Sequence, residues 1–232
     1  MANIFPRWSN LLPLKIMICV GAVAAGGSLA FTYYATPKTL VVGYQPAQPI
    51  PFSHKIHVNQ IGMDCRYCHA FVEVAGHATV PSASTCWNCH QHVQRDSPKL
   101  APLRQTMDPA YPGYHGKPIE WVRIHKLPDY VYFNHSAHVN RSVACQSCHG
   151  NINTMEVVAQ DQSLSMSWCL NCHRAPENFL RPLEEVYHSG YDAATYLASH
   201  PQPGAVTTRD LGLKLKQQFQ VNPKISCTTC HR

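Results

Sequence analysis

Ten of the eleven cysteines in this 232-residue chain fall into five C-x-x-C pairs, and a histidine follows every pair at once. They are Cys65-Arg66-Tyr67-Cys68-His69, Cys86-Trp87-Asn88-Cys89-His90, Cys145-Gln146-Ser147-Cys148-His149, Cys169-Leu170-Asn171-Cys172-His173 and Cys227-Thr228-Thr229-Cys230-His231. This spacing suits covalent attachment of haem c: two thiols form thioethers to the vinyl groups along one porphyrin edge, and the adjacent imidazole reaches beneath the ring to the iron. Fifteen His in the chain make five such coincidences a chance of roughly one in a million. Zinc ribbons also use C-x-x-C, but they combine pairs to complete four ligands and have no use for a His after each one. Five disulfides between near neighbours would staple nothing over long range. Five covalently attached haems c are therefore expected. Cys19, the remaining cysteine, lacks the small residues that precede a lipoprotein cysteine and reads as a small apolar residue.

Five irons offer ten axial positions, of which the motif histidines His69, His90, His149, His173 and His231 fill five. Four of the other histidines stand in a repeated context, Phe52-Ser53-His54-Lys55-Ile56-His57-Val58 and Phe133-Asn134-His135-Ser136-Ala137-His138-Val139, both F-x-H-x-x-H-V. Two His at i,i+3 share one face of a helical turn but cannot bind one iron from opposite sides, so each pair is expected to bridge two haems. His125 is the fifth expected distal ligand. His77, His92, His115, His188 and His200 read as surface or loop residues. A thioether raises a haem's potential relative to an imidazole, which makes Met155 and Met166 candidates for a mixed His/Met site, Met155 being the one included in the ligand set.

The F-x-H-x-x-H-V element and its two following motifs recur, with motif offsets of 80 and 83 residues, a second motif that reads C-x-N-C-H in both copies, and an L-x-P-L echo at Leu100–Leu103 and Leu180–Leu183. This is an internal duplication of a two-haem unit with a fifth motif appended. The expected organisation is a stub and anchor over 1–37, a Pro-containing linker over 38–50, one two-haem unit over 51–120, and a second over 121–232 that includes the fifth haem. Helical or alternating periodicity is weak and Pro is frequent, so the expected fold is a loop-rich multihaem cytochrome c with short helices at the motifs. Porphyrins take the place of a side-chain core. A compact body of residues 36–232 has a radius of gyration of roughly 16 Å, so five haems inside it are close neighbours and form a path for single electrons.

Residues 16–37 carry no charge, and a helix of that length is roughly 33 Å long, enough to cross a bilayer. Arg7 and Lys15 precede it, which leaves the N-terminus in the cytoplasm and sends the haem motifs across the membrane; Trp8, Tyr33 and Tyr34 fall at the interfaces. A cleaved signal ending near Ser28-Leu29-Ala30 is the competing reading, and both export the rest of the chain. Gly21/Ala25 and Ala22/Gly26 are small pairs that let another helix approach closely. The formal charge of +6 comes without any Lys/Arg block, so nucleic-acid binding is excluded as a reading. Two propionates per haem, about −10 in all against about +5 from ferric centres, bring the loaded protein near neutrality.

Three function classes compete. An electron relay needs every iron closed, and enough histidines exist for that. A multihaem reductase needs an open iron; nitrite-reducing pentahaem enzymes replace one motif His by Lys, which no motif here does. A stand-alone membrane-anchored quinol dehydrogenase feeding a periplasmic reductase is the alternative, although roughly 28 residues, an extended reach of up to ~90 Å, separate Pro37 from Cys65.

The anchor, Met63-Asp64-Cys65-Arg66-Tyr67-Cys68-His69, the stretch Tyr130-Val131-Tyr132-Phe133-Asn134-His135-Ser136-Ala137-His138-Val139, and Leu164-Ser165-Met166-Ser167-Trp168-Cys169-Leu170-Asn171-Cys172-His173-Arg174 together resemble the pentahaem cytochrome c subunit of bacterial alternative complex III, a quinol:electron-acceptor oxidoreductase. The haem-and-HxxH units also resemble the small class III cytochromes. The resemblance implies a single-pass protein of the bacterial inner membrane with its haem domain on the periplasmic side. It also implies partnership with an iron-sulfur subunit, polytopic membrane subunits and a monohaem cytochrome, and a soluble cytochrome c or copper protein as acceptor. Quinol oxidation is implied for the membrane subunits, with no substrate site expected in this chain.

Overall fold

The computed structural model describes residues 6–201 and 203–231; the first five residues of the expected stub, Gln202 and Arg232 lie outside the described residues. The chain divides into two compact units between Val42 and Gly43.

In the first unit a short 3-10 turn, Arg7–Leu11, runs into α1, Leu12–Tyr34. Residues Trp8–Tyr34 form one apolar helical stretch long enough to cross a membrane. Pro13 in its first turn lacks an N–H where none is needed. The helix begins before Lys15, four residues upstream of the charge-free run, because that proline presets the first turn. It ends at Tyr34 because Thr36 precedes Pro37, and a residue before proline avoids the helical region. A single turn, α2, spans Pro37–Leu40.

The second unit is built from short helices joined by loops, and among the described residues pairing in the sheet manner is confined to two isolated bridges, Val131 with His231 and Val143 with Leu180. Each attachment motif lies on or at the end of a helix: α3 (Cys65–Cys68), α4 (Ala83–His90), α7 (Cys145–His149), α8 (Met166–Arg174) and α11 (Cys227–Cys230). The others are α5 (Ala101–Met107), α6 (His135–Val139), α9 (Ala193–Ser199) and α10 (Thr208–Gln218). The caps are local: Asp64 accepts from Arg66 N at 2.8 Å, Ser165 from Trp168 N at 3.4 Å, and Thr207 with Asp210 forms a reciprocal box on α10. From Gly43 onward the segment expected to be a linker is hydrogen-bonded to the body. Gly43 N donates to Gln160 O at 2.7 Å, Gln45 reaches Val157 O at 2.8 Å, and Gln48 pairs with Val122 through both ends of its amide.

The side-chain core is thin. One buried cluster, Val72, Val139 and Val186, joins the first copy of the duplication to the second. The other, Leu180, Leu211 and Leu215, seats α10 against the second copy. Gly212 makes that seat possible: a Cβ there would overlap the Glu177 carbonyl, so the helix packs backbone to backbone on the Pro176–Asn178 turn.

Candidate haem sites

The two F-x-H-x-x-H-V copies fold alike in detail, although the first sits on a π-turn, Lys55–Gln60, and the second on α6. Phe52 meets His54 edge-on at 4.9 Å and stacks on His57 at 4.4 Å; Phe133 meets His135 edge-on at 4.8 Å and stacks on His138 at 4.5 Å. His57 donates from Nδ1 to Ser53 O at 2.9 Å and His138 from Nδ1 to Asn134 O at 2.8 Å. Ser53 and Asn134 also cap the turn through their side chains. The sequence repeat contained the phenylalanine, but nothing in it indicated that the aromatic ring fixes the orientation of the second histidine.

An iron held between two imidazoles needs their ring centres roughly 6 Å apart, given metal–nitrogen bonds of about 2 Å and about 1.1 Å from each nitrogen to its ring centre. His57 and His90 stand 6.1 Å apart, His138 and His173 6.1 Å, and His135 and His149 6.4 Å. The donor set fits haem in a second respect. Nδ1 of His69, His90, His173, His57, His135 and His138 each lies 2.6–3.0 Å from a backbone carbonyl, of Thr79, Val93, Lys224, Ser53, Gly76 and Asn134 respectively. A carbonyl can only accept, so the proton sits on Nδ1 and the lone pair on Nε2 is left for a metal. His54 and His149 lack such a partner; their buried Nδ1 atoms are unbonded.

Burial lowers the proton affinity of five of the rings. His149 is pushed down to about 3, first by burial and then by His125, His135, His69 and His54 around it. His54 is pushed down to about 4 by burial, with smaller effects of His69 and His57. Burial likewise lowers His125, His135 and His138. A ligand must be unprotonated to bind, and burial supplies that state at neutral pH. His57 faces the histidine of the second motif and His135 and His138 face those of the third and fourth, while His54 lies near enough to His69 to feel its charge.

His125 packs perpendicular to His149 at 4.2 Å, too close to admit an iron between them, with its Nε2 buried and unbonded. The ring beside His231 is that of Tyr130, at 5.8 Å. Met155 caps the Ile152–Thr154 turn and accepts from Lys55 N at 3.1 Å, which sets it beside the first HxxH element. His115 accepts from Lys117 N, His188 binds the Glu185 carboxylate at 2.6 Å, and His200 stacks on Tyr196, so each of these rings is engaged locally.

The attachment cysteines trace an order through the unit. Charge on Cys86 is felt at Cys68, which burial chiefly raises. Cys65 and Cys145 interact strongly, which raises Cys145 and lowers Cys65. Cys148 is pushed up to about 12 by burial and by Cys172 and Cys169. Cys169, raised mainly by burial, also feels Cys230. Neighbouring motifs therefore run second, first, third, fourth, fifth. At the last step the backbone adds His173 Nδ1 to Lys224 O at 3.0 Å and Tyr132 N to Cys230 O at 2.8 Å.

Residues 131–232 match the family model described as cytochrome c7 and related cytochrome c. Over 183 residues the chain is 33% identical to the multiheme cytochrome c subunit of menaquinone reductase from Nitratidesulfovibrio vulgaris, an alignment that spans 69% of this chain and 81% of that protein.

Proposed function

The chain belongs to the multihaem cytochromes c, and on that premise we propose that it is the electron-relay subunit of a membrane quinone oxidoreductase, carrying electrons between a quinone-reactive membrane partner and a periplasmic acceptor through five haems c. The observation that carries this reading is three pairs of imidazole rings facing one another at iron-bridging distance within one compact unit that carries all five attachment motifs. Haem bound at these sites supplies reversible one-electron chemistry at iron. The chain's own imidazoles would hold the irons through Nε2, their tautomers fixed by backbone carbonyls and several of the rings buried away from water.

The resemblance to the alternative complex III subunit gives the finer form of the proposal. The haem unit lies on the periplasmic side of the bacterial inner membrane, anchored by α1. Its partners are an iron-sulfur subunit, polytopic membrane subunits and a monohaem cytochrome, and a soluble cytochrome c or copper protein takes the electrons. The named relative, a subunit of a menaquinone reductase, supports a quinone partner and leaves electron flow in either direction chemically open. The stand-alone quinol dehydrogenase is the second reading, favoured by the apolar helix Trp8–Tyr34, long enough to cross a membrane, on the same chain as the haem motifs.

Extraction in a mild detergent tests the choice. The relay reading expects the chain to copurify with polytopic and iron-sulfur subunits and to lose quinol-dependent haem reduction once stripped of them. Reduction of its haems by quinol in the isolated anchored chain would refute it in favour of the second reading.

A further inference from the structure

Arg104 is the one Lys or Arg buried among the described residues, with 6% of its surface exposed. It lies on α5, and its guanidinium sits over the Tyr111 ring, 4.6 Å from the centroid, with Nη2 3.3 Å from the Tyr111 hydroxyl. Nε and Nη1 are buried and have no hydrogen-bond partner among the described residues. A buried charge is costly unless it is paired. Glu177, also buried, meets that requirement through Lys216 at 2.9 Å. Asp108, four residues on from Arg104, is already bonded to Arg95 at 2.8 Å and is held below its ordinary value chiefly by that bond, with the Arg104 charge the smallest of the causes. The cluster therefore sets two cations against one carboxylate and is short of an anion.

The local connections lead from this cluster to the second motif. α5 packs on α4, the helix that carries Cys86, Cys89 and His90. The His90 ring is tied from Nδ1 to Val93 O at 2.9 Å, two residues before Arg95, and Arg95 is the partner of Asp108. A haem attached at this motif brings two carboxylates on short flexible arms. We propose that Arg104 binds a propionate of the haem carried by Cys86, Cys89 and His90, with Nε and Nη1 as the donors. The pairing holds the propionate ionised and sets a positive charge near that iron, which favours the ferrous state. Arg104 is thus a positioning residue for the second haem and raises its potential. The inference goes beyond the relay reading and rests on it only in requiring haem at the second motif.

The test is potentiometry of the full-length haem-loaded protein in detergent from about pH 5 to about pH 9, comparing wild type with Arg104→Leu and Arg104→Lys. In Arg104→Leu at neutral pH one haem in five should show a roughly tenfold lower ferrous-to-ferric ratio at a fixed applied potential, a fall of about 59 mV for one electron. The propionate freed of its cation then titrates, so that haem's potential should return toward the wild-type value on acidification. Arg95, Asp108, Tyr111 and His115 are common to both proteins, so the difference between them reads the propionate. Arg104→Lys keeps the charge without the guanidinium fork and should give a smaller fall, which decides the matter if Arg104→Leu fails to load haem. Carbon monoxide binds the ferrous iron opened by His57→Ala and so raises that haem's potential; the haem marked in this way should be the one that the Arg104 variants lower. Five unchanged potentials in the variants that load, a fall that does not vary with pH, or a fall at another haem overturns the pairing and leaves the relay intact. The first of these is the result given by Nε and Nη1 holding only buried water. A mass showing no haem at the second motif overturns both.

Discussion

His138→Ala examines the geometry of the haem sites most directly. The ring it removes stands 6.1 Å from His173, and the 2.8 Å bond from Nδ1 to Asn134 O fixes its Nε2 as the metal-facing atom. No other imidazole is recorded at that spacing from His173 among the described residues, so the expected result is one open iron in five. Reduced protein titrated with carbon monoxide should then bind one equivalent more than wild type. The protein part of the loss is modest: about 1 kcal/mol for the stack on Phe133 and about 1 kcal/mol for a carbonyl left without its donor, roughly 2 kcal/mol before the lost iron bond is counted. His57→Ala, its counterpart in the first copy, should give the same single equivalent at the haem of His90. His125→Ala should leave the iron of His149 closed, because rings 4.2 Å apart leave no room for an iron between them. An unchanged titration for His138→Ala would refute the distance argument.

Two further outcomes follow from packing and capping. Gly212→Ala drives a methyl group into the Glu177 backbone carbonyl, which cannot rotate away, so α10 must lift from the Leu180 cluster; a loss of about 3 kcal/mol is expected, read as a lowered unfolding temperature of the haem-loaded protein. Asp64→Ala removes the cap of the first motif's helix and should cost about 1 kcal/mol at pH 7. The Arg66 side chain holds the Asp64 carboxyl below its ordinary value of 3.8. A depressed carboxylate stabilises the fold fully above the unfolded value and loses that contribution as pH falls through the folded one. The difference between variant and wild type in denaturant unfolding should therefore shrink on acidification below that value, and a difference that is constant down to strongly acid pH would contradict the assignment.

Much of the site was legible in the sequence because haem attachment is local: cysteines three apart with a trailing histidine lie on one short helix whatever the rest of the chain does. The duplication was legible for the same reason, since F-x-H-x-x-H-V recurs as a string and folds as one turn in both copies. What stayed hidden depends on distant contacts. His125 lies ten residues before His135, yet its packing against His149 is set by tertiary folding. The order of motifs puts the first beside the third, through Cys65 and Cys145, where the chain order puts the second. Gly212 looked like a flaw in an amphipathic helix until the Glu177 carbonyl was found against it. The π-turn at Lys55–Gln60 has no signature that separates it from the α-turn of its twin.

The residues of the proposed electron path also fill much of the interior of the second unit. Nine apolar side chains are buried among the described residues, six of them in two clusters of three, too few to offset the ordering of nearly two hundred residues. The interior around the first and third motifs is occupied instead by His54, His69, His125, His135 and His149, whose mutual influence shows how closely they crowd. Neutral imidazoles packed this way leave Nδ1 of His54 and His149 unbonded, an arrangement that costs about 1–3 kcal/mol per orphaned group. Burial alone therefore cannot be what stabilises the cluster. Iron ligation on Nε2, with covalent attachment at adjacent cysteines, would supply the missing favourable term, and the spacing of His57, His135 and His138 from the rings they face fits it. Haem loading would then be coupled to folding, and the close placement of the haems would follow from their serving as the core.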